Sequence, residues 1–218
     1  MGGVDAPDPA EMRQRYEGLG LTEAEAPPDP LHLFAAWFVD ATAAGIVEPN
    51  AMVLATVGVD GWPQARIVLL KGYDEKGLRF FTNTRSAKAD QLAVSPRAAL
   101  VFPWHPIARQ VRVLGRVQPL EHAEVEAYFS TRPRESQLGA WASPQSSVVA
   151  SRGELDAMLL EAQLRFPTGS AVPVPPAWGG YRVQPVSWEF WAGRPGRMHD
   201  RLRYRWAEGR WTLERLAP

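Results

Sequence analysis

Four short stretches of this sequence combine cations with hydrogen-bonding side chains at spacings that could hold anions. The first is Arg197-Met-His-Asp-Arg201. Alternate residues of a strand share a face, so Arg197, His199 and Arg201 are expected to point the same way, spaced about 6.5 Å apart. Two guanidiniums flanking an imidazole offer an anion site with a proton-transfer group between them. A solvated basic face is the alternative, since Arg203 and Arg205 continue the same parity. The second stretch is Arg66-Ile-Val-Leu-Leu-Lys71. Its two cations fall on opposite sides of a regular strand, so one ligand reaches both only if the strand is bulged or the ligand is large; otherwise this is a buried strand with charged ends. In the third, a helix end runs into Arg-Pro-Arg-x-Ser, gathering Tyr128, Arg132, Arg134 and Ser136. Forked guanidiniums and hydroxyls suit a phosphate, although arginines here also compensate a helix C-terminus. The fourth, Gln145-Ser146, is polar but carries no distinctive chemistry alone.

Three arginine clusters in a chain whose 24 basic residues balance 24 acidic ones point to more than one anionic group. A phosphorylated cofactor with a small phosphorylated substrate accounts for them. The same balance gives no general electrostatic grip on nucleic acid or an anionic membrane. With no cysteine, disulfides, thiolate catalysis and cysteine-ligated metals are excluded. The four histidines, His32, His105, His122 and His199, are scattered, so no metal site is expected. Glycine-rich dinucleotide and phosphate-loop signatures are absent, as are the zinc-protease and nucleophile-elbow motifs. No apolar run approaches the roughly 20 residues that span a bilayer, and Met1 to Ala10 does not read as a secretory signal. A cytoplasmic protein is the expectation.

The elements that must position these residues can be read from patterning. Residues 1–28, rich in Pro, Ala, Gly and Glu, read as a mobile arm, with a possible short helix at Met12 to Glu17. Residues 29–218 read as one domain. Asp29 caps a helix with Pro30 in its first turn, its apolar stripe runs through Leu31, Phe34, Trp37, Phe38 and Ala41, and Gly45 stops it. Ala51 to Val57, Gln64 to Tyr73 and Leu78 to Thr82 read as a three-stranded meander with turns at Asp60-Gly61 and Asp74 to Gly77. A short helix over Ser86 to Val94 precedes strands at Ala98 to Trp104 and Gln110 to Val117. Helices follow at Glu121 to Thr131 and Ser151 to Phe166, separated by a polar loop over Arg132 to Ser147. Gly180 to Trp191, Met198 to Trp206 and Arg210 to Leu216 read as closing strands. Six to eight strands with three or four helices that do not alternate with them predict a mainly β, α+β fold: an antiparallel barrel, closed or nearly so, with peripheral helices.

These stretches together resemble the pyridoxamine phosphate oxidase family from about Asp29 to Pro218, with a weaker echo at Arg13 to Tyr16. The segments that carry the resemblance include Pro49-Asn-Ala-Met-Val-Leu-Ala-Thr56, Arg66 to Lys71, Phe102-Pro-Trp-His105, Arg109-Gln110, Arg132-Pro-Arg-Glu-Ser-Gln-Leu-Gly-Ala-Trp141, Gln145-Ser-Ser147, Trp178-Gly-Gly180, Glu189-Phe-Trp191, Arg197 to Arg201 and Arg215-Leu-Ala-Pro218. Their joint order and spacing is the specific signal. The resemblance implies an FMN-binding split β-barrel, homodimeric, with FMN at the subunit interface. It implies oxidation of pyridoxamine or pyridoxine phosphate to pyridoxal phosphate, with dioxygen as acceptor and hydrogen peroxide as product. Flavin contacts would fall on Arg66, Ile67, Val68, Leu69, Leu70 and Lys71, then on Phe81, Thr82, Lys88, Gln110, Gln145, Ser146, Trp191 and Arg201. Substrate contacts would fall on Lys71, Tyr128, Arg132, Ser136, Arg197 and His199, the last two catalytic, with an arm around Arg13 and Tyr16 covering the site. One departure is Ala87, where the family often has arginine; Arg85 is the nearest candidate to replace it. The rival implied by the same fold is a phenazine-pathway flavin oxidase acting on a tricyclic carboxylate. A deazaflavin-dependent reductase on a related barrel is disfavoured by the site motifs. A rival of another class is a non-catalytic flavin or pyridoxal phosphate binding module, which would release no peroxide.

Overall fold

The computed structural model describes residues 8–12, 15, 16, 18 and 20–218. Among the described residues, nine antiparallel strands form one sheet: β1 (Ala51–Val57), β2 (Pro63–Leu69), β3 (Gly72–Asp74), β4 (Gly77–Asn83), β5 (Arg97–Trp104), β6 (Arg109–Pro119), β7 (Trp178–Ala192), β8 (Asp200–Ala207) and β9 (Arg210–Leu216). Five α-helices accompany them: α1 (Pro30–Ala43), α2 (Ala87–Val94), α3 (His122–Ser130), α4 (Arg134–Ala142) and α5 (Arg152–Arg165).

The hydrogen-bonded order β2-β1-β5-β6-β7-β4-β3 closes on itself, because β2 runs into β3 through Leu70 and Lys71 alone. Leu70 N–H still donates to Asn50 on the β1 side, while Lys71 N–H already donates to the Arg79 carbonyl of β4. The chain thus changes partner between consecutive residues. Above that point β2 ladders only with β1, and β4 ladders only with β7. The wedge between β2 and β4 is the split in the barrel. The sequence patterning placed one continuous strand and a three-stranded meander here; the partner exchange breaks both.

Inward residues alternate as a half-buried sheet requires, with Met52, Leu54 and Thr56 of β1 facing Leu100, Phe102 and Trp104 of β5 in the interior. Helix α1 starts at Pro30, capped by Asp29, whose side chain accepts from the Leu31 amide. Its Phe34 is fully buried among Tyr73, Phe102, Trp104 and Trp188. Strand β7 serves two neighbours on one edge, β4 along Trp178 to Val183 and β8 along Ser187 to Ala192. A bulge at Val186 opposite Leu114 and Gly115 lets it bend between them. Gly115 is required there, since a Cβ would stand 2.5 Å from Val183 Cγ1.

Other boundaries differ from the sequence reading for local reasons. The polar stretch after Arg132 contains helix α4, whose Leu138 is buried with Phe129 and Ala162. Strand β8 begins at Asp200, because Gly196 and Arg197 take left-handed conformations (φ 66° and 62°) that end extended backbone. Arg197 and His199 therefore do not alternate with Arg201 along a strand. Of the proposed helix at Met12 to Glu17, Arg13, Gln14 and Glu17 lie outside the described residues; Met12, Arg15 and Tyr16 are in no helix. Within the stretch read as an arm, Leu21 is buried in the main core.

Candidate functional site

The split between β2 and β4 opens into a cleft of about 780 Å³. Strand β2 supplies Arg66, Ile67, Val68 and Leu69, then Lys71 after the partner exchange. Lys71 lies beyond the break, so its parity with Arg66 is reset and both reach one cavity. Leu70 does not line it; it is buried in the core. The opposite wall carries Phe81 and Thr82 of β4, with Ala87 and Lys88 from the start of α2. The far end is built by Tyr128, Arg132 and Ser136, and Gln145 and Ser146 close it.

The cations here are held by neutral groups. Arg66 Nη1 donates to the Leu54 carbonyl (3.2 Å) and the Thr56 hydroxyl, and Nη2 to Gln91 Oε1 at 3.1 Å. Lys88 Nζ donates to Gln145 Oε1 (2.8 Å), Thr82 Oγ1 (3.1 Å) and Ser86 Oγ (3.3 Å). Arg132 lies over the Trp178 ring, 4.1 Å from its centroid, and its buried Nη1 has no partner among the described residues. Buried Trp178 Nε1 on the cleft wall is likewise unpartnered. Among the described residues no carboxylate comes within ion-pair distance of Arg66, Lys71, Lys88 or Arg132. Burial pushes the Arg66 guanidinium below its ordinary value. It does the same to Lys88, with the charge of Arg66 adding to it, and to Arg132, where Tyr128 works in the opposite direction. Helix α2 has no side-chain cap, so its first amides add positive potential beside Lys88. Phe81 stacks on Tyr128 with centroids 3.9 Å apart, a flat apolar wall between the two ends. Such a cavity suits a planar molecule bearing anionic groups.

Arg134 does not join this cluster. Its guanidinium donates to the carbonyls of Phe166, Pro167 and Ser170, satisfying the end of α5. Ala87 lines the cleft, but Arg85 does not; it lines a neighbouring cavity bounded by Trp141 and Arg165. Arg85 is therefore no replacement for an arginine at position 87.

The remaining candidates form a second group, outside the cleft. Gln110, Trp191 and Arg201 stand abreast on β6, β7 and β8. From Arg66 to Gln110 the sheet crosses β1 and β5, roughly 14 Å of curved surface. Tyr16 meets the edges of Trp191 (5.6 Å) and His199 (5.4 Å). His199 Nδ1 accepts from the Arg194 amide at 3.1 Å, which places its proton on Nε2. Arg201 is bound twice by Glu189 Oε1 and once by the Ala217 carbonyl. Arg197 is exposed and has no ion pair among the described residues. Arg13 lies outside the described residues. One copy of the chain thus holds the candidate residues in two separate groups, or half-sites.

Sequence reasoning missed Trp178 as the platform beneath Arg132, and Gln91, which ties Arg66 to Thr56. Gln91 had a signal: it shares one helical face with buried Ala89 and Leu92, where a polar residue needs a partner. No metal-ligating group of side chains occurs among the described residues, and no helix is long and apolar enough to cross a membrane.

Comparison with known proteins places this geometry. The family model described as pyridoxamine 5'-phosphate oxidase matches residues 38–166. The model of the pyridoxine 5'-phosphate oxidase C-terminal dimerisation region matches residues 178–218. The pyridoxine/pyridoxamine 5'-phosphate oxidase of a Nocardioides species is 54% identical over 97% of this chain and 98% of its own. That of Thermobifida fusca is 52% identical over 99% and 100%. Among solved structures, PhzG from Burkholderia lata in complex with tetrahydrophenazine-1-carboxylic acid superposes with a TM-score of 0.87 at 30% identity, covering 94% of this chain and 100% of its own. A pyridoxamine 5'-phosphate oxidase-related, FMN-binding protein from Nostoc punctiforme shares the fold, with a TM-score of 0.70 at 22% identity, over 87% and 98%.

Proposed function

This chain belongs to the pyridoxamine 5'-phosphate oxidase family, and from that premise we propose that it is an FMN-dependent oxidase making pyridoxal phosphate. Pyridoxamine phosphate, water and dioxygen would give pyridoxal phosphate, ammonia and hydrogen peroxide; pyridoxine phosphate and dioxygen would give the same aldehyde and peroxide. The observation that carries this reading is the cleft in which buried Lys88 and half-buried Arg66 and Arg132 have no carboxylate within ion-pair distance among the described residues.

The residues present fit FMN. Arg66, Lys88 and the start of α2 line the part of the cleft where a phosphate could sit, and Ile67, Val68 and Leu69 with Phe81, Thr82, Gln145 and Ser146 would flank a flat ring. When bound, FMN supplies the two-electron acceptor that the side chains lack and returns the electrons to dioxygen as peroxide. The chain does the positioning. Lys71, Tyr128, Arg132 and Ser136 hold the substrate phosphate, which orients the pyridine ring and its reacting carbon. Arg132 gains an acceptor for its unpartnered Nη1 in doing so.

The second half-site completes the first from another copy. In this reading the protein is a homodimer through its C-terminal dimerisation region, with FMN at the interface. Gln110, Trp191 and Arg201 then reach the cofactor, and Arg197 and His199 face the substrate ring. Residues 29–218 act as one domain, and Tyr16, from the segment before it, covers the site. The reaction is placed in the cytoplasm.

The experiment is direct. The purified protein is expected to be yellow and to release peroxide with pyridoxamine phosphate in air, far faster than with pyridoxamine. A second reading, a phenazine-type oxidase, draws on the superposition with PhzG. It predicts equal indifference to both amines and turnover of a reduced tricyclic carboxylate.

A further inference from the structure

Asp200 opens β8 directly after His199 and is only 6% exposed, although it lies at the rim of the barrel. Its carboxylate collects three donors from three segments. Oδ2 accepts from the Leu21 amide (2.9 Å) and Arg194 Nη1 (3.3 Å), and Oδ1 accepts from Arg215 Nη1. Burial alone would raise its pKa; the Leu21 amide and the two guanidiniums outweigh that and hold it below the ordinary carboxylate range.

Each donor leads back to the second half-site. Arg194 donates its own amide to His199 Nδ1. Leu21 anchors the N-terminal strap in the core, and Arg215 pins the same strap through Glu23 (2.7 and 2.8 Å) and the Leu21 carbonyl (3.0 Å). The strap runs so close that a Cβ on Gly18 would stand 2.6 Å from the Gly193 carbonyl oxygen, and one on Gly20 would stand 2.5 Å from Asp200 Oδ2. That register lays Tyr16 against Gly193, Trp191 and His199.

The geometry points to Asp200 as a positioning residue that couples the seating of the strap, the described residues between Tyr16 and Glu25, to the orientation of His199. It touches no reacting atom. It acts through Arg194 on the histidine and through Leu21 and Arg215 on the strap, so both are set by one carboxylate. An amide cannot replace it: all three partners are donors, and the NH₂ of asparagine would face at least one of them. The inference rests on the preceding reading only in taking His199 to face substrate.

The test compares three variants with wild type, all FMN-loaded. Glu23→Gln loosens only the strap; KM is expected to rise several-fold with kcat kept, and trypsin should cut faster after Arg15. Arg194→Met cuts the side-chain link from Asp200 to the loop before His199 and leaves the Leu21 and Arg215 ties of the strap in place; kcat is expected to fall by up to about 100-fold, the scale of a roughly 1 Å misplacement at a reacting centre, with a smaller change in tryptic cleavage than in Glu23→Gln. Asp200→Asn should show both effects, and ¹⁵N spectra of the His199 ring should lose the single Nε2–H tautomer while flavin content holds. Wild-type kcat, KM and His199 tautomer in Asp200→Asn overturn the inference, as does the same kinetic change in Glu23→Gln and Arg194→Met. If Asp200→Asn does not accumulate, the two partner variants decide alone. A wild type that makes no peroxide from pyridoxamine phosphate overturns the substrate reading instead, and the tautomer and proteolysis results still decide the role of Asp200.

Discussion

In the cleft between β2 and β4, Arg66, Lys88 and Arg132 stand on a carbonyl, three hydroxyls, two side-chain amides and an indole, with no carboxylate within ion-pair distance among the described residues. In strands β8 and β9, Arg201, Arg203, Arg205 and Arg215 each meet a carboxylate within 4 Å: Glu189, Glu214 or Glu23 with Asp200. Both regions are rich in arginine, and sequence composition does not separate them. The difference is in what balances the charge. An ion pair on a sheet surface contributes little to stability, whatever else its arginine does. Unpaired cations in a half-closed cavity cost free energy until an anion arrives, and that cost is released on binding.

Four expectations would break or sharpen this comparison, from the largest effect to the smallest. Arg197, in the turn just before β8, is exposed and has no ion pair among the described residues, and Arg197→Ala should lower kcat by about 100-fold while the protein stays yellow; an unchanged rate removes it from the reaction. Arg66→Ala should weaken FMN retention by roughly ten-fold or more, the worth of one charged hydrogen bond, read as flavin content after dialysis. Lys88→Met should stabilise the ligand-free protein by about 1 kcal/mol, because it removes an uncompensated buried charge, whereas Arg203→Met in the paired region should lower stability by no more than about 1 kcal/mol. Thermal unfolding of both variants shows whether the signs are opposite. The smallest effect concerns pH. The bond from Arg215 holds the Glu23 carboxyl down at about 2 from an ordinary 4.5. A depressed carboxylate lends its stability above the unfolded value and loses it as pH falls through the folded one. The strap should therefore loosen between about pH 4.5 and 2 in wild type and show a smaller step in Glu23→Gln, where Asp200 alone still titrates against it, followed by tryptophan fluorescence.

Much of this was legible beforehand, and the failures have physical causes. Strands β1 and β9 and the cap at Asp29 follow from alternation and turn chemistry, which are local. The break at Leu70 and Lys71 was not readable, because it depends on which neighbour each amide finds after the barrel closes. Arg197 was read as strand because nothing in its own chemistry announces a left-handed turn; Gly196 beside it was the available hint. Arg134 carries the same chemistry as Arg132, and only the tertiary position of α5 turns it into a cap. The division of the candidates into two groups could not come from one chain's patterning, since it depends on how far apart the folded sheet carries β2 and β6. Resemblance supplied the joint set of residues; the structure shows which of them one copy assembles.

The central claim is that the unbalanced cations of the cleft are a phosphate site for the cofactor. Calorimetric titration of ligand-free protein with FMN and with riboflavin, which lacks only the phosphate, tests it most directly. FMN should bind at least about 100-fold more tightly, as expected for two charged hydrogen bonds, and the gap should shrink in Lys88→Met. Equal affinity for the two flavins in wild type would contradict it.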